Sequence, residues 1–122
     1  METTTKERVK PIRVTDEETG REYILDFSRE TIKMAEARGF TWDLATDMPF
    51  TYLPIIWHYA FVRYEPRISP KKTQELFDIA GGIQPKQLAR LKELYEQCGE
   101  SLVAEETEDG NTKNSKISVV LE

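Results

Sequence analysis

The chain has 122 residues, of which 39% are hydrophobic and 32% are charged, and its formal net charge is −5. This length favours a single domain that can bury a core of its own, and the one cysteine, Cys98, excludes an intramolecular disulfide. The acidic balance argues against a general affinity for nucleic acid, because that affinity depends mainly on clustered Lys and Arg side chains.

The first predicted element is a β-hairpin. Two β-rich runs, residues 9–16 and 21–27, flank a polar turn that ends in Gly20, which can adopt a positive φ. Pro11 has no N–H group and therefore marks the first run as an edge strand. A two-stranded hairpin is marginal alone, so its apolar face must be covered by helices or by another chain.

Two short helices are expected next. Ser28 is a favourable N-cap for a helix over residues 29–38. We expect no capping box there, because Thr31 stands where the box normally has a glutamate or glutamine. Thr41 is expected to cap one further helical turn over residues 42–48.

The central helix is the most distinctive prediction. Residues 50–64, FTYLPIIWHYAFVRY, hold half of the aromatic side chains of the chain. We place the start of the helix near Thr51, so that Pro54 falls in the first turn, where its missing N–H has no cost; the helix ends before Pro66. A helix that is apolar all round is buried on more than one side, so we expect it at the centre of the domain or shared with another subunit.

Two longer helices complete the bundle. Ser69 followed by Pro70 is typical of a helix start and opens a helix over residues 70–80, which a Gly-Gly pair ends. The last helix is predicted over residues 85–103. Its apolar positions form a heptad-like seam made by Leu88, Leu91, Tyr95, Cys98 and Leu102.

The predicted fold class is therefore α+β, mainly α, with an N-terminal β-hairpin followed by a four- to five-helix bundle. The hairpin and helices form one domain over residues 9–103, and residues 1–8 are expected to be a flexible N-terminus. Residues 104–122 are expected to be an acidic, flexible tail that ends in a strand-like segment.

The strand-like segment has two readings of equal weight. Ile117, Val119 and Leu121 alternate with other residues and would lie on one face of a strand. Such a segment can add to the open edge of a sheet, in this protein, in a second subunit or in a client protein. Simple disorder is the alternative.

No residue pattern indicates catalysis, a cofactor or a metal. His58 is the only histidine, and the nearest acidic residues, Asp47 and Glu65, are not three or four residues away from it, so a packing role fits it better than a catalytic one. Cys98 lacks the neighbouring cations of a reactive thiolate. The acidic run at residues 105–110 lacks the spacing of a calcium-binding loop. We therefore expect a protein that is not an enzyme.

A small helix-turn-helix-like DNA-binding regulator is the alternative function. The two last helices and the glycine turn between them have the order of such a motif, and the second helix would present Lys86, Gln87 and Arg90 to a groove. The acidic residues of that helix and the acidic chain make nucleic acid an unlikely partner.

The order of segments resembles a known family. The run Leu25-Asp26-Phe27-Ser28 opens RETIKMAEARGF, and the aromatic block is followed by EPRIS, a Ser-Pro-Lys helix, a Gly-Gly turn and LARLKELYEQCGESL. Over roughly residues 20–121 this resembles the tail assembly chaperones of long-tailed phages and prophages of Gram-positive bacteria. The resemblance implies a protein that self-associates and binds the tape measure protein, keeping it soluble in the host cytoplasm during tail assembly.

The site implied is a protein-interaction surface. Apolar helix surface in excess of one small core usually indicates protein contacts, and the expected contact residues are Tyr59, Phe61, Leu91, Tyr95 and Leu102, with Ile117, Val119 and Leu121 in the tail. The family has no catalytic residues to carry over. The sequence shows no secretory signal and no apolar run of about 18 residues, so we expect a soluble cytoplasmic protein of the bacterial host with no membrane partner.

Overall fold

The computed structural model describes residues 8–100, apart from the side chain of Glu100. Its elements in chain order are β1 (Ile12–Asp16), β2 (Arg21–Leu25), α1 (Arg29–Ala37), α2 (Trp42–Asp47), α3 (Pro49–Val62), α4 (Pro70–Ala80) and α5 (Pro85–Glu100). A hairpin followed by five helices confirms the α+β, mainly α fold class. The predicted tail and four of the predicted contact residues lie outside the described residues: Leu102, Ile117, Val119 and Leu121.

The hairpin is antiparallel and begins later than predicted. Its register pairs Ile12 with Leu25 at one end and Asp16 with Arg21 at the other. Pro11 lies just before β1 rather than inside it, because a residue without an N–H cannot donate to the ladder. At the turn, the Gly20 N–H donates to the Asp16 carbonyl oxygen at 2.7 Å.

An ion pair between a buried carboxylate and a partly exposed guanidinium joins the end of the hairpin to the end of α3. Asp26 is only 4% exposed, and its Oδ2 accepts a hydrogen bond from Arg63 Nη1 at 3.0 Å. The same Nη1 donates to the Phe27 carbonyl oxygen at 2.7 Å, and the Asp26 N–H donates to the Ala60 carbonyl oxygen at 3.0 Å. The hydrogen bond from Arg63 gives the buried Asp26 carboxylate a partner. The chain can therefore pass from β2 through the core.

The start of α1 corrects one prediction, because a capping box is present. The Thr31 N–H donates to Ser28 Oγ at 3.2 Å, and the Ser28 N–H donates to Thr31 Oγ1 at 2.9 Å. A threonine hydroxyl therefore replaces the glutamate carboxylate as the returning acceptor. The cap of α2 follows the prediction, since Thr41 Oγ1 accepts from the Leu44 N–H at 3.0 Å.

The start of α3 corrects a second prediction. The helix begins at Pro49, which takes the first helical position, two residues before Thr51. Pro54 consequently lies beyond the first turn, where it deprives the Phe50 carbonyl of its intrahelical donor. The other end is as predicted, since α3 finishes at Val62, ahead of Pro66.

The aromatic helix occupies the centre of the domain, as its all-round apolar character predicted. Helix α3 packs against α1, α2, α4 and β2. Its indole at Trp57 donates from Nε1 to the Thr73 carbonyl oxygen at 2.8 Å, which ties α3 to α4. Helix α5 packs against α1 and β1 and contributes Leu91 and Leu94 to the same core.

The Asp26–Arg63 pair is expected to contribute much more to stability than a surface pair. We expect Arg63→Met to lower the free energy of unfolding by about 3 kcal/mol, because it leaves Asp26 buried without its cation. The matched control is Arg13→Met, which removes an exposed pair with Glu22 and should cost less than about 1 kcal/mol. Urea denaturation of both variants measures the difference, and equal losses would contradict this account.

Candidate protein-interaction surfaces

Two of the predicted contact residues belong to the core of the single chain. Phe61 is 0% exposed and Leu91 is 1% exposed. The Phe61 ring packs edge-on against Tyr23 and Trp57, with centroid distances of 5.4 and 5.1 Å. Neither side chain presents a surface to a partner, so both act by holding α3 and α5 in place.

Tyr59 and His58 border a small groove between α3 and α4. The groove has a volume of about 160 Å³ and is also lined by Arg38 and Thr73. The two rings pack edge-on at 4.9 Å. Tyr59 is half-buried, so part of its ring stays available for a contact.

His58 is held by the polar side chain that faces it. Its Nδ1 lies 2.9 Å from Thr73 Oγ1, and the Thr73 hydroxyl donates to the Pro70 carbonyl oxygen at 3.1 Å. Since that hydroxyl has one hydrogen, His58 Nδ1 is the donor. Burial and the positive charge of Arg38 lower the pKa of His58 below its usual 6.5. Among residues 8–100, no group of three or more His, Cys, Asp or Glu side chains could hold a metal ion.

Tyr95 and Cys98 border a second groove, between α1 and α5, of about 370 Å³. The Tyr95 hydroxyl donates to Glu36 Oε2 at 3.2 Å, and burial together with that carboxylate raises the pKa of Tyr95 to about 12. The Cys98 thiol donates to the Phe27 carbonyl oxygen at 3.2 Å, and burial raises its pKa. A protonated, hydrogen-bonded thiol is a weak nucleophile.

Among residues 8–100, the most exposed large apolar side chain is one that sequence reasoning did not select. Phe50 is 96% exposed, and its neighbour Met48 is 46% exposed. Because α3 begins at Pro49, Phe50 lies in the first turn, where it projects from the bundle. Pro49, which can open a helix, is the sequence signal that could have identified it; the predicted start near Thr51 leaves Phe50 before the helix and assigns it to neither face.

Phe50 lies at the edge of an apolar groove between the first turns of α3 and the end of α4. This Phe50 groove has a volume of about 470 Å³. Its apolar lining consists of Pro49, Phe50, Leu53, Pro54, Phe77 and Ile83. Gly81 and Gly82 form one wall, so bare backbone is accessible there.

The electrostatics of the Phe50 groove are acidic. Asp78 is the only charged side chain in its lining, and its Oδ1 accepts from Gln74 Nε2 at 3.0 Å. Helix α4 ends at Ala80 beside the groove, where the negative end of the helix dipole lies. An apolar partner with flanking basic residues fits this surface best.

The residues of the alternative DNA-binding reading lie on an exposed face of α5. Lys86 and Gln87 are exposed. Arg90 is oriented by its own chain, because its Nη1 donates to the Lys10 carbonyl oxygen at 3.2 Å and its Nε lies 3.9 Å from Glu93 Oε1. Helix α4 packs mainly on α3, whereas α5 packs on α1 and β1.

Comparison with known proteins places the chain in a family. A family model described as a domain of unknown function, DUF5055, matches residues 4–121, so the chain belongs to this family. No curated protein and no solved structure matches the chain. In the part of the chain that the structure describes, no helix is long and apolar enough to cross a membrane.

The half-buried position of His58 predicts a pH dependence of stability. Because the folded state lowers the pKa of His58, the unfolded chain takes up the proton first. The full stability is present above about pH 6.5 and decreases as the pH falls below that value. Denaturant unfolding between pH 7.5 and 5.5 should show this decrease in the natural chain and a smaller one in His58→Gln, which keeps a polar side chain near Thr73. The same slope in both proteins would contradict the assignment.

Proposed function

We propose that this DUF5055 protein is a non-enzymatic tail assembly chaperone of a phage or prophage, which binds the tape measure protein and keeps it soluble in the cytoplasm of the bacterial host. The observation that carries the proposal is the exposure of Phe50, at 96%, beside an open apolar groove. The order of sequence segments that resembles the tail assembly chaperones supplies the identity of the client.

The Phe50 groove has the chemistry that such a client requires. An apolar stripe of a client helix would place its side chains between Phe50 and Phe77, in the manner of helix-in-groove recognition. Burying one exposed phenylalanine contributes about 2 kcal/mol. A few such contacts give an affinity that is high enough to cover the apolar surface of the client. The affinity is also low enough for the client to be released when tail tube subunits assemble around it.

Self-association is the second part of the proposal. Tyr59 and Tyr95 remain our predicted contacts between copies, because each is half-buried and lines a groove. Phe61 and Leu91 are buried in the core and act only by holding α3 and α5 in place. Many copies on one long client would each cover a short apolar segment of it.

The solution mass of the protein tests the proposal. Light scattering of the protein alone, and after co-expression with the tape measure protein that we expect to be encoded nearby, should give oligomers and a soluble complex. A monomer that leaves the client insoluble would overturn the proposal. In that case, salt-sensitive binding to duplex DNA that Lys86→Ala weakens would favour the alternative regulator.

Phe50→Asp is the sharpest variant for client binding. We expect at least a tenfold loss of affinity for the tape measure protein, because about 2 kcal/mol of apolar burial is removed. The free energy of unfolding should change by no more than about 0.5 kcal/mol, since Phe50 is exposed and an aspartate is favourable in the first turn of a helix.

Met34→Asp is the matched control. Met34 is 47% exposed on α1 and does not line the Phe50 groove. It receives the same negative charge and should leave client binding unchanged. Pull-down and light scattering with both variants separate the two surfaces, and equal losses of binding would show that the Phe50 groove is not the client site.

A further inference from the structure

The sheet of this protein has an open side along β1. Within residues 8–100 the sheet contains only β1 and β2. In an antiparallel pair, alternate residues direct their N–H and C=O groups away from the partner strand. The outer side of β1 therefore has main-chain donors and acceptors without a ladder partner in the described chain, which is the template that an additional strand requires.

An apolar groove runs beside this open side. It has a volume of about 210 Å³, and β1 contributes four consecutive residues to it, from Ile12 to Thr15. The opposite wall is formed by Ala80, Ile83 and Gln87, and the buried side chains of Trp57 and Leu91 also line the groove. We call this surface the β1 groove.

The apolar face of the sheet is less buried along β1 than along β2, and β1 borders the β1 groove. The register pairs Ile12 with Leu25 and Val14 with Tyr23, so these four side chains share one face. Leu25 and Tyr23 are 0% and 5% exposed, whereas Ile12 and Val14 are only half-buried. One further strand beside β1 would complete the cover.

We propose that residues 117–121 of the same chain bind in the β1 groove as a third strand of the sheet. Ile117, Val119 and Leu121 alternate at the spacing of a pleated strand, so all three can face Ile12, Val14 and the opposite wall. Ser118 lies between them and would point away from the core.

The chain has the length to make this contact. Residues 101–116 connect the end of α5 to the segment, and they span up to about 50 Å when extended. Leu91, which lines the groove, lies nine residues before Glu100, or about 14 Å along the helix. A tether of this kind gives an effective concentration in the millimolar range, which favours the segment of the same chain over that of a second copy.

The connecting residues and the start of β1 carry opposite charges. The connecting residues include Glu105, Glu106, Glu108 and Asp109. The guanidinium of Arg90 lies beside the start of β1, where it donates to the Lys10 carbonyl oxygen at 3.2 Å and lies 3.9 Å from Glu93. The family match itself extends to residue 121, so the segment belongs to the domain that the family shares.

Hydrogen exchange of the β1 amides tests the proposal in the full chain. The variant is Val119→Asp, and the matched control is Ser118→Asp, which adds the same charge on the opposite face. We expect the outward-facing amides of β1 to exchange about tenfold faster in Val119→Asp and at the natural rate in Ser118→Asp. Amides of α3 serve as an internal reference and should be unaffected in both. Equal β1 rates in the natural chain and in Val119→Asp would overturn the proposal.

A concentration series identifies which chain supplies the strand. Protection of the β1 amides that is independent of protein concentration supports binding within one chain. Protection that increases with concentration would show that the strand comes from a second copy, and it would overturn the proposal as stated. Cleavage by trypsin after Lys116 gives a second readout, since it should be slow in the natural chain and about tenfold faster in Val119→Asp.

Discussion

Helix α3 has no polar side, and the arrangement of the other elements follows from that constraint. Its apolar side chains must be buried on several faces, and α1, α2, α4 and β2 all pack against it. The hairpin places Tyr23 edge-on to Phe61, and α4 accepts the Trp57 indole N–H at a main-chain carbonyl. Loss of any one cover would expose aromatic surface, so the domain is expected to fold as one cooperative unit.

The residues that carry the family resemblance have structural roles in this chain. The buried Asp26 carboxylate pairs with Arg63, Phe27 is fully buried, and Ser28 caps α1 through the capping box. The pattern of these three residues therefore reflects the structure of the junction between the hairpin and the helices. These three residues act inside the domain, whereas the proposed client contact is made by surface residues such as Phe50. The fold and the proposed function accordingly rest on different parts of the sequence.

Element types were predictable from sequence because prolines and small polar residues mark the helix starts. Ser69, Pro70 and Thr41 act as their chemistry predicts. The errors have separate causes. At position 31 a threonine hydroxyl takes the capping-box role expected of a glutamate. Either Pro49 or Pro54 can stand in the first turn of a helix, and this ambiguity displaced the predicted start of α3. Burial was equally ambiguous in α5, where the heptad-like seam omitted the fully buried Leu94. Only three-dimensional packing distinguishes neighbouring apolar residues on such helices.

The glycine wall of the Phe50 groove limits how this surface can change. Gly81 and Gly82 have φ values of 75° and 94°, a conformation in which any side chain is strained. Variation in that wall is therefore constrained even though there is open space around it. The apolar residues of the opposite wall carry no such restriction. If the proposed client changed during evolution, the groove would adapt through substitutions on its α3 side. The main-chain conformation of the α4–α5 turn would stay the same.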